Sequence, residues 1–154
     1  MKRFVTAAAT AAILLAGSAA LADTGFVSAE GEYHWNAKAS HYPMGAYSTD
    51  QTMSIKHDDG KSINVSQSVH MKDGKTINWG FDGAYDSLPH HGDWITIALT
   101  RTKPNAFTND YIMVDGIRGH EVATITKSRI TIRGASFDDN GVAHPYVEVW
   151  DKDK

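Results

Sequence analysis

The sequence predicts an all-β protein: an antiparallel up-and-down barrel of about eight strands, preceded by a signal peptide. Three observations carry that expectation. Apolar and polar residues alternate in short consecutive runs, turn dipeptides separate the runs, and no window after residue 25 shows sustained 3.6-residue apolar periodicity. The stretch HDDGKSINVSQSVHMKDGKTINWGF, residues 57–81, shows the first two together. Asp59-Gly60 and Asp73-Gly74 bracket a run in which Ile63, Val65 and Val69 share one parity. Ser62, Asn64, Ser66, Ser68 and His70 take the other. Asp-Gly pairs suit tight hairpins that need positive φ, so the run reads as one half-buried strand between two hairpins.

Taken in order, the chain opens with Lys2 and Arg3, then the uncharged segment FVTAAATAAILLAGSAALA, then Ala20-Leu21-Ala22 as a small-x-small cleavage pattern. Residues 1–22 are therefore read as a signal peptide, with a mature chain from Asp23 destined for the periplasm or the medium. A membrane span is the weaker reading, because the segment is Ala-rich and its strongly apolar part falls short of the ~20 residues a span needs. Residues 23–154 make one domain, with 23–45 as a segment capping one end. Removing residues 1–22 takes away two of fifteen basic residues and none of eighteen acidic ones, moving the net charge from −3 to −5. That balance argues against nucleic acid and against polybasic membrane binding, both of which need clustered Lys and Arg. The chain has no cysteine, which removes disulfides, thiol catalysis and Cys-based zinc sites.

Eight strands are expected at 47–57, 61–71, 75–82, 93–102, 106–114, 119–127, 128–138 and 142–151. Lys103-Pro104-Asn105, Asp115-Gly116 and Asp139-Asn140-Gly141 supply further turns. Thr76, Asn78 and Asp82 oppose Ile77, Trp79 and Phe81, and Thr96 and Thr100 oppose Ile95, Ile97 and Leu99. One apolar and one wet face belong to an antiparallel sheet covered on a single side. Parity is less clean at Phe107–Val114 and His144–Trp150, where both faces carry large side chains. Hairpin-length connections favour a meander, which buries its apolar face and removes its edges by closing on itself. Only Gly83–Gly92 is long enough to serve as the crossing connection of a sandwich.

At GEYHWNAKASHYPMG, residues 31–45, the sequence resembles the opening of a small exported lipocalin-like family of bacteria. Gly31, Asn36, Ser40, Tyr42, Pro43 and Gly45 fit its pattern of Gly-x-Trp, Asn, Ser and aromatic-Pro-x-Gly. Tyr33 stands where that family has tryptophan, with Trp35 two residues on. DDGKSINV, KDGKT, DGAYDSLPHHGD and DDNGVAHPYVEVWDK echo its strand-turn rhythm. The resemblance implies a lipocalin-like barrel and a plugging role for Tyr33 and Trp35 at one end.

The chemistry expected of such a barrel is binding. Trp79, Phe81, Ile97, Leu99 and Ile132 are candidates for the wall of an interior that takes a small hydrophobic or amphipathic ligand. Ala98, Gly80 and Gly134 are read as lying on the opposite parity. The loop GAYDSLPHHGD offers Tyr85, Leu88, His90 and His91 as a portal. No catalytic residue, metal site or cofactor is assigned. His90 or His91 with His120, Glu121 and His144 contains zinc-ligand types, but no spacing makes them converge. His120 or His144 as a haem ligand is weaker still. Two alternatives remain: an enzyme using Glu121 beside His120 or Glu148 near the mouth, and a filled barrel that recognises a partner through Tyr85 and Leu88. No Gly-x-Ser-x-Gly elbow is present. Asn64-Val65-Ser66 matches a glycosylation acceptor but sits in mid-strand. Oligomeric state is left open.

Overall fold

A computed structural model of the protein describes residues 25–42, 46 and 48–154. The signal peptide, Asp23, and Pro43 and Gly45 of the family-like opening lie outside the described residues. Ten strands form one antiparallel sheet: β1 (Gly31–Trp35), β2 (Ser48–Asp58), β3 (Ser62–Met71), β4 (Thr76–Ala84), β5 (Asp86–His91), β6 (Ile95–Lys103), β7 (Ala106–Met113), β8 (Arg118–Ile125), β9 (Arg129–Phe137) and β10 (Ala143–Lys152). The order β4-β3-β2-β1-β10-β9-β8-β7-β6-β5 is a meander whose first strand pairs with its last. The fold is thus a nearly closed barrel, as expected, but of ten strands rather than eight.

The two additional strands fall where the sequence was read as something else. Gly31–Trp35 is no plug: it pairs with β2 on one side and β10 on the other, and Tyr33 and Trp35 point inward as wall residues. Asp86–His91 is a strand within the expected portal loop. A register irregularity between Asp86 and Pro89, and Ser87 at φ 63°, explain why its sequence lacks clean alternation. The turns behave as expected: Gly60, Gly74, Gly116 and Gly141 all hold positive φ.

β4 and β5 do not form a ladder, and this seam is closed by other means. Asp93 N donates to Gly80 O at 3.2 Å. Gly92 lies so close to β4 that a Cβ would collide with Gly80 O and the Phe81 side chain. The His90 ring packs at Gly83, with Nε2 3.3 Å from the Ala84 amide nitrogen and 2.9 Å from Asp86 Oδ1.

One barrel end is plugged. It lies where β2 meets β3, β4 meets β5 and β6 meets β7, and the N-terminal segment crosses it, with Val27 N bonded to Pro104 O at 3.0 Å. Beneath it Arg101, with its side chain 4% exposed, faces Asp58, which is fully buried, at 3.5 Å. The guanidinium lies over the rings of Phe26, Tyr85 and Phe107 at 4.7, 4.9 and 5.9 Å. Asp58 Oδ2 accepts the Ala29 amide at 2.8 Å, and Arg101 donates to Val27 O and Tyr85 Oη at 3.2 and 3.4 Å. Ile63, Leu99, Ile125, Ile130 and Trp150 pack below, almost wholly buried.

Removing Asp58 leaves a buried guanidinium without its counter-charge. Asp58→Ala is expected to lower unfolding stability by about 3 kcal/mol, read as a fall in the urea midpoint with an unchanged slope. A midpoint within experimental error of the parent would contradict this account of the plug.

Candidate functional site

Away from the plug, the interior changes character. The strand registers place inward-facing residues in rows across β10, β9, β8 and β7. Nearest the plug runs Glu148–Ile132–Ala123–Phe107, then Tyr146–Gly134–Glu121–Asn109, then His144–Ser136–Gly119–Tyr111. Gly134 therefore lies on the inward parity, contrary to the sequence reading, because it continues the series Ile130, Ile132. It matters that this position is glycine. A Cβ there would come within 2.6 Å of Glu121 Cγ and 2.7 Å of His120 O, so Gly134 is the gap across which Tyr146 reaches Glu121. Gly119 likewise leaves room for the Tyr111 ring.

These rows gather two carboxylates and three phenols. Tyr146 Oη donates to Glu121 Oε1, and Asn109 Nδ2 donates to Glu121 Oε2 at 2.7 Å. Tyr42, from the β1–β2 connection, donates to Glu148 Oε1 at 2.5 Å, and Trp150 Nε1 donates to Oε2 at 3.2 Å. Tyr111 and Tyr146 hydroxyls are 3.1 Å apart. The rings of Tyr42 and Tyr146 stack at 5.9 Å, and Trp35 tilts against Tyr42 at 6.1 Å. Gln67 and Gln51 continue the polar lining onto β3 and β2 through a 2.7 Å bond, with Gln51 donating on to Ser48. Two polar atoms here are buried without a partner: Trp35 Nε1 and Asn109 Oδ1, in residues each 8% exposed.

The electrostatics follow from burial. Loss of water raises the Glu121 carboxyl to about 7, and the nearby Glu148 charge adds to the rise. Burial raises Glu148 as well, against the bonds from Tyr42 and Trp150 that favour its charged form. The Tyr111 hydroxyl is pushed up to about 12 by burial. Burial followed by the Glu121 charge drives Tyr146 well above the ordinary phenol range, so it is a donor throughout. Among the described residues the ion pairs of Lys and Arg go to Asp73, Asp58 and Asp151, and none reaches Glu121 or Glu148.

The expected wall residues divide. Ile97 and Leu99 are packed core, 2% and 0% exposed. Trp79, Phe81 and Ile132 face inward but keep part of their surface accessible, as do Tyr111, Met113, Glu121 and Glu148. These side chains are less tightly enclosed than Ile97 and Leu99. Polar groups on β10, β8 and β7 thus face an apolar arc on β4 and β6 around an amphipathic interior.

Of the expected portal residues, Tyr85 is displaced. It is half-buried at the plugged end, with its ring on Arg101 and its hydroxyl 3.4 Å from Asp58. Leu88 is exposed on β5, His91 meets Thr96 at 2.9 Å, and His90 belongs to the β4–β5 seam. His120 faces outward to Asp110 at 2.7 Å, on the opposite side of β8 from Glu121, and His144 meets Asp138 at 3.3 Å. Strand alternation therefore separates His120 from Glu121, and the zinc set does not converge. Two depressions open to solvent adjoin the wall. One of about 350 Å³ is lined by Ser54, Ser66, Gln67, Asn78 and Trp79, and one of about 500 Å³ by Asp110, Arg118, Gly119, Phe137 and Asp138.

No family model and no curated protein matches the chain. Among solved structures, the fluorescent protein UnaG superposes with a TM-score of 0.54 at 12% identity, over 80% of this chain and 96% of that one. A de novo designed fluorescence-activating β-barrel gives 0.48 at 11% identity, over 80% and 93%. The UnaG likeness establishes a shared fold, a nearly closed antiparallel β-barrel.

A carboxyl whose pKa is raised on folding binds its proton more tightly in the native state. Its contribution is fully present below the unfolded value of 4.5 and is lost as pH rises through about 7. The charged or titrating groups that act on Glu121 are Glu148 and Tyr146 from β10, Tyr111 from β7 and, from the outer face of β8, His120. Glu121→Gln is expected to be more stable than the parent at pH 8 by on the order of 2 kcal/mol, with the advantage shrinking at pH 5. Urea unfolding of both proteins at the two pH values checks this. The exposed His34–Asp153 pair, which also titrates, is common to both and cancels.

Proposed function

We propose that the protein is an exported, lipocalin-like carrier that takes a small amphipathic molecule into the half of the barrel away from the plug. One observation carries this reading. Seven inward residues on β4, β7, β8, β9 and β10 (Trp79, Phe81, Tyr111, Met113, Glu121, Ile132 and Glu148) retain accessible surface although the sheet encloses them. Small-molecule sites on barrels have this character, mostly apolar with a few convergent polar groups. The plug leaves the interior to be reached from the other end. There the turns carry apolar residues outward: Trp94, Val114 and Ile117 are 45%, 65% and 45% exposed.

Filling the interior tests the reading. Ile132→Trp adds bulk between Glu148 and Ala123 and is expected to lower affinity for a lipophilic reporter dye at least about tenfold. Leu88→Ser, on the outside of β5, is expected to leave it unchanged. Dye uptake by the parent that is absent or unsaturable, together with native mass spectra free of bound small molecules, would remove the carrier reading.

Export rests on the charge pattern of residues 1–22 and on the family resemblance. Expression of the full chain in a Gram-negative host is expected to yield a periplasmic product whose N-terminal residue is Asp23. A product that keeps Met1 and stays in the cytoplasm would refute it.

A further inference from the structure

We propose that the ligand of this interior is an organic cation. Its protonated amine docks against Glu121, Glu148 and Asn109 Oδ1, and its apolar body lies along Trp79, Phe81 and Ile132. The inference rests on the carrier reading above and adds the chemical class of the ligand.

The first support is uncompensated charge. Two carboxylates on neighbouring rows of one interior accept bonds from Tyr146, Asn109, Tyr42 and Trp150, all of them neutral donors. Neutral donors satisfy lone pairs but leave the net charge in place. Arg101, the buried cation among the described residues, is at the other end and is held by Asp58. An anionic amphiphile entering this space would meet like charge in a medium of low dielectric, whereas an ammonium would supply the missing counter-charge.

The second support is independent of charge. Asn109 is 8% exposed, lies on the inward series Phe107, Asn109, Tyr111, and presents a carbonyl oxygen that no donor reaches. Its own amide nitrogen is fixed on Glu121 at 2.7 Å, which holds that oxygen beside the carboxylate. A buried acceptor next to a carboxylate calls for a group rich in N–H donors, and an ammonium has three. A fatty acid carboxylate has none.

The third support is the ring environment. Tyr42 and Tyr146 stack above Glu148 and Glu121, Trp35 adjoins Tyr42, and Tyr111 adjoins Tyr146. Electron-rich rings around carboxylates are a setting that attracts amines. The pH response agrees in sign. As pH falls through about 7 the Glu121 carboxyl takes up a proton and its attraction for a cation is lost. The groups that act on it there are Glu148, Tyr146, Tyr111 and His120.

Three probes with one tail and different heads decide the matter: dodecylamine, dodecanoate and dodecanol. Each is titrated calorimetrically below its micellar concentration, with 1:1 stoichiometry checked by native mass spectrometry. At pH 8 dodecylamine is expected to bind at least about tenfold more tightly than either other probe. That preference is expected to weaken at pH 5.5, and to fall by about tenfold or more in Glu121→Gln and, independently, in Glu148→Gln. Equal or tighter binding of dodecanoate or dodecanol would overturn the cation assignment and leave the carrier reading intact. So would amine binding that both variants retain, which would mark adsorption to the acidic exterior. Failure of all three probes to bind would overturn both.

Discussion

The barrel depends on how its one plugged end is closed. A ten-stranded sheet leaves an interior that side chains on a single ring of positions do not fill, so one end needs a lid. Here the lid is held by a buried cation. Arg101, projecting from β6, is sandwiched among Phe26, Tyr85 and Phe107, which come from the N-terminal segment, the β4–β5 corner and β7. Asp58 neutralises it and also accepts the amide of Ala29, so the same carboxylate fixes the covering chain. Taking both ions out of water is costly, and counter-charge, cation–π contacts and hydrogen bonds to the covering chain offset that cost together, although Arg101 Nε itself has no partner. Gly60, at positive φ, leaves room for the Phe26 ring against the turn.

That closure gives the interior a direction. Below the plug the rows are apolar and tight. Beyond Trp150 they take in glutamates, tyrosines and glutamines on one arc and keep indole, phenyl and aliphatic groups on the other. The β4–β5 seam contributes little backbone pairing and is closed by His90 and by the approach of Gly92 to Gly80. A seam without a ladder is the part of the wall that opens at least cost. It borders the apolar arc, through Phe81.

Much of the fold was legible because period-two alternation survives in strands with one wet face, as in Ile63–Val69 and Ile95–Leu99. The two strands that escaped did so for local reasons. Gly31–Trp35 is only five residues long, and Pro89 with the irregularity around Ser87 breaks the pattern of Asp86–His91. The site was less legible. Large side chains on both faces of Phe107–Val114 and His144–Trp150 were visible, but a glutamate on an inward parity looks in sequence like any surface glutamate. The signal lay in the glycines. Gly119 and Gly134 fall on the inward parity of their strands, where a barrel otherwise sets bulk, and each stands opposite a tyrosine that fills the space it leaves.

Stability alone gives no reason for Glu121 and Glu148 to be where they are. Burial raises both carboxyl groups, so near neutral pH each ionised form weakens the fold, and an apolar pair of similar volume would hold the sheet better. Nor do they act as a paired structural device in the manner of Asp58, since among the described residues no Lys or Arg ion pair reaches them. Instead the surrounding sequence is arranged around them: two glycines make space, two tyrosines, a tryptophan and an asparagine orient the oxygens, and one amide oxygen is left over. Groups kept at a cost to stability and held by several strands are those a binding site uses. The plug and the cluster thus treat buried charge in opposite ways. The first completes its ion pair within the chain, and the second leaves its counter-charge to come from outside.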